Sequence, residues 1–257
     1  MILRRAAEHL KQQHWTGVFI ELLIVVLGVF IGMQVSNWNA ARLEKQHADE
    51  LFQRLVGDLE SEKATVESLR DYYITTAAYA KIALRELEAP GSVDTETFVV
   101  SAYQASQWQE AITSRSTFEE IVATGAVNLI RSAKARELLI GYYEYNWTRT
   151  VTATSRPSYR ELMRGVMPYA IQDAIKTTCG DQAKIIGRTN ISWLPKQCHI
   201  DAPAQDIARA ADALRAAPGF EQALRYQLAE NDTKAGFYGG TGSLLLPVIA
   251  AVRGGVR

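Results

Sequence analysis

Residues 16–35 read TGVFIELLIVVLGVFIGMQV, and the placement of this stretch governs everything around it. Its densest apolar run covers 22–33. No charge occurs between Glu21 and Arg42, and Trp15 and Trp38 bracket the whole. At the rise of an α-helix the two tryptophans stand roughly 34 Å apart. The hydrocarbon core of a bilayer is about 30 Å thick, and Trp favours its interfaces. The stretch therefore reads as a transmembrane helix over 16–37, in lipid bilayer, with Trp15 and Trp38 as interface anchors. The rival reading is a cleaved signal peptide with Arg4 and Arg5 as its charged region. Against it, Glu21 precedes the apolar core, 34–39 offers no A-x-A-like site, and Arg4-Arg5 lacks the rest of a twin-arginine signal.

Charge and cysteine usage give the orientation. Arg4, Arg5 and Lys11 precede the span, and Arg42 and Lys45 follow it, so the positive-inside bias places residues 1–15 in the cytoplasm by a narrow margin. The two cysteines, Cys179 and Cys198, flank a segment containing Gly180, Gly187 and Pro195 that reads as an irregular loop. A disulfide closing it contributes about 3 kcal/mol by the chain-entropy estimate. Disulfides persist in oxidising compartments, which puts 38–257 outside the cytoplasm. Two buried free thiols are the alternative. A zinc site at Cys179, Cys198 and His199 matches no usual ligand spacing.

One face of the span carries a pattern. At 100° per residue Gly17, Glu21, Val25, Gly28 and Gly32 fall together, and Ser36 continues the spacing. Small residues let a second helix backbone approach, and a polar side chain between helices can hydrogen-bond across. This face is expected to dock another transmembrane helix, from a second copy or a larger membrane protein. The alternative is that glycine is simply common in such helices and that Glu21 snorkels to the headgroups.

Beyond the span the pattern changes. No Pro or Gly interrupts 34–56, and from Phe52 the apolar residues step by three and four: Phe52, Leu55, Leu59, Val66, Leu69, Tyr73, Ala80, Leu84, Leu87. The spacing predicts an amphipathic helix over 38–88, stopped by Pro90-Gly91. A helical bundle is expected over 94–257. Its predicted helices cover 95–112, a short element ending near Gly125, 131–155, 158–176 with Pro168 inside, 205–216 and 218–234. Ser116 with Glu119 and Thr117 with Glu120 offer overlapping capping boxes for the short helix. No strand alternation is evident. The fold class is all-α: one transmembrane helix running into a long amphipathic helix, then an extracytoplasmic bundle with a cysteine-closed loop. Residues 235–252 lack charge, but Gly236, Gly239, Gly240, Gly242 and Pro247 interrupt them. A core helix is favoured there over a second span, and 239–243 reads as a flexible turn.

Composition narrows the function. The 257 residues carry 28 basic and 28 acidic side chains, 47% hydrophobic residues and 22% charged. That balance fits a folded protein and not a disordered chain, and it lacks the basic surplus of a nucleic-acid binder. No H-E-x-x-H, no G-x-S-x-G and no phosphate loop occurs, so neither catalysis, a metal nor a cofactor is expected. The aromatic residues Tyr142 and Tyr143, with Tyr103 and Trp108, are the candidate lining of a pocket, although aromatics at helical spacing more often fill a core.

The N-terminal residues also carry a resemblance. Glu8-His9, Trp15, Glu21, the run IVVLGVFIG at 24–32, QVSNWN at 34–39 and LFQRLVGDL at 51–59 resemble a family of uncharacterised bacterial single-span membrane proteins, a domain of unknown function. The resemblance implies a bacterial inner-membrane protein with its main domain in the periplasm, and it implies no activity. The sequence leaves two functional expectations. The first is an interaction protein, as an accessory subunit of a membrane complex or a homo-oligomeric scaffold. The second is a periplasmic small-ligand sensor acting through a membrane partner.

Overall fold

The computed structural model describes residues 15–111, 113–156, 158–187 and 189–255. Arg4, Arg5, Glu8, His9 and Lys11, which enter the sequence readings, lie outside the described residues. Trp15 and Gly17 lie in the first turn of a helix where only the backbone is described. The chain divides after Glu50 into two compact units.

The first unit holds the N-terminal part of helix α1, Trp15–Glu88. Every side chain from 19 to 47 is exposed. An α-helix satisfies its own backbone groups, so an apolar helix needs no polar partner along its length.

The second unit is a helical bundle. It takes in the rest of α1, then α2 (Thr95–Ala105), α3 (Ser116–Ala123), a 3₁₀ turn η1 (Ala126–Leu129), α4 (Ala133–Tyr145), a second 3₁₀ turn η2 (Trp147–Arg149) and α5 (Val151–Thr154). Then come α6 (Tyr159–Val166), α7 (Tyr169–Cys179), strands β1 (Gln182–Ile186) and β2 (Thr189–Trp193), α8 (Ala204–Ala216) and α9 (Phe220–Gly255). The fold is all-α, with a long N-terminal helix, a multi-helix bundle and a disulfide-closed loop.

The amphipathic half of α1 organises the bundle. Leu51, Leu55, Leu59, Val66, Leu69, Tyr73 and Ala80 are buried at the spacing their sequence predicts. α9 runs antiparallel along it. Glu88 meets Arg225 at 3.7 Å, Lys81 meets Asp232 at 3.5 Å, and Glu60 pairs with Arg253. These exposed pairs mark the register and add little energy. α1 ends at Glu88 because Pro90 cannot continue it and Gly91 turns the chain with φ 85°. Glu86, 2% exposed, fastens that turn. Its carboxylate accepts the backbone N–H groups of Gly91 and Val93 at 3.1 Å and an Arg215 guanidinium at 2.8 Å. The backbone donors first, then Arg215, hold its pKa down to about 2.

Several predicted boundaries move, each for a local reason. The helix predicted over 95–112 stops at Ala105. The irregular segment after it finds side-chain donors for its carbonyls: Arg160 reaches Ser106 O at 2.7 Å and the Tyr73 hydroxyl reaches Gln109 O at 2.8 Å. The two capping boxes do not form, since Arg115 occupies the cap position without a side-chain bond. Thr117 instead donates to Asp58 at 2.5 Å, and Glu120 pairs with Arg54 at 2.8 Å. The helix predicted over 131–155 breaks at Asn146, which is left-handed at φ 44°. Pro168 divides 158–176 into two helices and sits at the N-cap of the second. The glycine-rich stretch 239–243 is not a turn but helix, in the middle of α9. Packing explains it: Gly239 and Gly242 face α1, where an added Cβ would stand 3.6 Å from Arg70 and 3.6 Å from Val66. Burial of Tyr238, Thr241, Leu245, Val248 and Val252 outweighs the poor helix propensity of glycine.

The loop between the cysteines is not irregular. β1 and β2 form an antiparallel hairpin, with Gln182 opposite Trp193 and Ile186 opposite Thr189. Alternation fails as a signal because all of β1 is exposed and only Ser192 of β2 is buried. The hairpin is held from outside itself. The Cys179–Cys198 disulfide closes its base with a Cα–Cα distance of 5.6 Å. One stripe of α1 supplies the rest. The Ser61 hydroxyl meets that of Thr189 at 2.7 Å, and the Ser68 hydroxyl donates to Ser192 O at 3.0 Å and accepts from Ser192 N–H at 2.9 Å. The Tyr72 hydroxyl reaches Asp181 at 2.7 Å, and that of Tyr79 reaches Pro195 O at 2.5 Å.

Candidate functional site

Two places in the molecule hold groups that the packing of the chain does not use up. One is the exposed apolar face in the first unit. The other is a buried carboxylate in the bundle.

In the first unit, Glu21, Val25, Gly28, Gly32 and Ser36 are all exposed. Nothing lies within 4 Å of a Cβ built on Gly28 or Gly32. Large apolar side chains surround that face, from Phe19 through Met33 and Val35 to Trp38, and all are exposed as well. By length and composition this helix can cross a membrane, and so can α9, whose apolar window is 39% buried within the chain.

In the bundle, Glu62 lies one turn after Asp58 on α1 and is 9% exposed. Its Oε1 accepts the Tyr142 hydroxyl at 2.7 Å and the Trp147 indole N–H at 2.8 Å. The indole also reaches the Tyr142 oxygen at 2.9 Å, which closes a three-membered polar cluster. Burial pushes the Glu62 carboxyl above its ordinary value. The two donors and Arg115 pull it down but do not cancel burial, and Asp58 adds to the rise. Burial and the neighbouring Glu62 charge likewise raise the Tyr142 hydroxyl, so it acts as a donor at any physiological pH.

A crevice of ≈ 10 Å³ opens beside this carboxylate, lined by Glu62, Thr113, Arg115, Tyr142, Tyr143 and Trp147 among others. That is room for about one water molecule. Arg115 spans its rim, donating to Tyr143 O at 2.7 Å with its guanidinium 5.5 Å from the Tyr143 ring. Tyr143 stacks on Phe118 at 4.0 Å, and Trp147 meets Tyr238 edge-on at 6.0 Å.

The four aromatics of the predicted pocket are therefore dispersed. Tyr142 and Tyr143 line this crevice, while Tyr103 and Trp108 do not. Tyr103 is buried under the Arg164 guanidinium at 4.8 Å. Trp108 has Arg156 at 4.2 Å and Lys234 at 5.7 Å from its ring. The indole of Trp108 and the ammonium of Lys234 both donate to Ser155 O, at 3.2 and 2.6 Å. Burial lowers the Lys234 pKa to about 8. Sequence reading missed both Glu62 and Lys234. Each is a charged residue at a core position of an amphipathic helix, and that misfit with the periodicity is the signal that could have found them.

A larger cleft of ≈ 520 Å³ lies where α8 turns into α9, lined by Leu87, Pro90, Leu214, Phe220, Arg215 and Arg225 among others. Among the described residues no group of three or more His, Cys, Asp or Glu is arranged to hold a metal ion. Compared with known proteins, the chain matches no family model, no curated protein and no solved structure.

Proposed function

We propose that this chain is a membrane-anchored interaction protein. The segment 16–37 is its transmembrane helix, the N-terminus is cytoplasmic, and residues 38–257 lie in the periplasm of a bacterium. The observation that carries the reading is the unbroken exposure of side chains 19–47, which includes a dozen consecutive residues without a polar side chain at 22–33. A soluble protein does not leave an apolar surface of that extent uncovered. Lipid covers most of it, and the Gly28–Gly32 face with Glu21 receives another transmembrane helix. The disulfide supports an oxidising compartment for the bundle. The N-terminal resemblance to bacterial single-span membrane proteins points the same way.

On this reading the protein acts by assembly, as an accessory subunit of a membrane complex or as a homo-oligomeric scaffold. The test is mild-detergent purification of C-terminally tagged protein from native membranes, with its mass and composition determined. A stoichiometric membrane partner, or a defined oligomer of this chain, supports the proposal when Gly28→Leu disperses it. A monomer without partners, or an assembly indifferent to Gly28→Leu, removes the helix face from the argument.

A second reading, a periplasmic ligand-binding bundle, draws on the ≈ 520 Å³ cleft, which is large enough for a small molecule. A thermal-shift screen of the full chain with metabolites separates the two, since a ligand that binds only the native state raises the melting temperature.

A further inference from the structure

The corner between α4 and η2 is built around one oxygen atom. α4 ends at Tyr145, Asn146 turns the chain in the left-handed region at φ 44° and ψ 52°, and η2 starts at Trp147. Asn adopts this conformation more readily than other non-glycine residues, so the turn itself costs little, and the direction of its two arms is fixed by the bonds they make. Tyr142 lies on the arm before the corner and Trp147 on the arm after it. Both donate to Glu62 Oε1, and Glu62 belongs to neither arm but to α1. No described residue donates to Glu62 Oε2, and the one-water crevice lined by Glu62 gives the carboxyl a route to solvent protons.

We propose that Glu62 is a proton-operated latch on the Asn146 corner, closing the segment 146–154 onto α1 when protonated and loosening it when ionised. The charged and titratable groups around the carboxyl set the balance. The Tyr142 and Trp147 donors favour ionisation most, followed by Arg115 from the segment before α3, which is shared with Tyr143 O at 2.7 Å and Glu119 at 3.7 Å. Asp58 on α1 opposes ionisation. Tyr142 and Tyr143 on α4 stay neutral because burial raises both. Burial of the carboxyl exceeds all of these, so closing the corner raises its affinity for a proton. When the corner opens, water reaches Glu62 and its affinity for the proton falls to the ordinary value. Closing is thus linked to proton uptake. The stabilisation is fully present below the open-state pKa and is lost as the pH rises through the closed-state pKa.

The experiment uses the full chain in mild detergent. Amide hydrogen exchange over 147–154, corrected for the intrinsic rate, is followed between about pH 5 and about pH 8. Wild type is expected to open roughly tenfold more at the alkaline end for each unit by which closure raises the Glu62 pKa. Glu62→Gln keeps an oxygen acceptor for Tyr142 and Trp147 and removes the titration, so its opening should be flat with pH. An equal pH response in the two proteins, or none in wild type, overturns the latch. A second measurement needs no variant at position 62. The ¹⁵N-labelled indole of Trp147 should titrate in wild type with a midpoint above 4.5, the ordinary value for this carboxyl. A midpoint at or below it, or no titration, also overturns the proposal.

Discussion

Helix α1 carries two segments with the same secondary structure and opposite surroundings. Over 22–33 the apolar residues are continuous, and all of them are exposed. Over 51–83 they recur every three or four positions, and the recurring positions are buried. Leu27 is 48% exposed, whereas Leu59 is fully buried. Each pattern asks for its own surroundings. Periodic apolarity describes a helix with one partner, and the rest of this chain supplies it through α9 and α4. Continuous apolarity describes a helix that is apolar all round, and among the described residues nothing covers it.

A matched pair of truncations separates the two segments. Leu59→Ala should cost about 2–5 kcal/mol, because it removes a fully buried side chain and leaves a cavity. Leu27→Ala should leave the stability of the bundle within about 0.5 kcal/mol of wild type. Chemical denaturation of the full chain in mild detergent, followed by near-ultraviolet circular dichroism, measures both. Equal losses would mean that the exposed segment contributes to the fold of the bundle, and the contrast between the two halves of α1 would fail.

A second contrast lies within the bundle, between elements that are apolar enough to hold themselves and the hairpin that is not. β1 is wholly exposed, with Ile185 at 76%, so the hairpin depends on the disulfide and on the polar stripe of α1. Replacing both cysteines with serine should lower stability by about 3 kcal/mol on the chain-entropy estimate. The loss should fall first on residues 180–198. Limited proteolysis would then cut there at native temperature, while α2 and α9 stay protected. Uniform loss across the bundle would show that the hairpin and the helices unfold as one unit.

Legibility in the sequence follows the same division. The long N-terminal helix, its amphipathic half, its stop at Pro90-Gly91 and the helical class were all readable, because each rests on a pattern confined to one element. The hairpin was not, since its support comes from Ser61, Ser68, Tyr72 and Tyr79 on a distant helix. The corner at Asn146 and the early end of α2 were missed for the same reason. Arg160, Tyr73 and Glu62 satisfy backbone and side-chain groups that local sequence leaves open. The candidate site was half readable. Tyr142 and Tyr143 were noticed as aromatic, but the acid that joins Tyr142 to Trp147 lies eighty residues earlier on another helix.

The glycines of α9 give the smallest expected effect and the finest test of what packing overrides. Gly239 and Gly242 face α1, while Gly236 and Gly240 have nothing within 4 Å of an added Cβ and lie on the exposed side. All four are helical, so none is needed for a left-handed turn. Packing holds this stretch helical against its own propensity, and removing the propensity cost on the open side should then stabilise the protein directly. Gly236→Ala and Gly240→Ala should each add about 0.5–1 kcal/mol, raising the midpoint of thermal unfolding. Alanine at Gly239 or Gly242 should give at least as large a gain, because the same propensity benefit comes with an ordinary van der Waals contact, 3.6 Å from Arg70 or Val66. A destabilising result at Gly240 would mean that its open face is covered in the native assembly. That would carry the contrast between the chain's own packing and its external covering from α1 to α9.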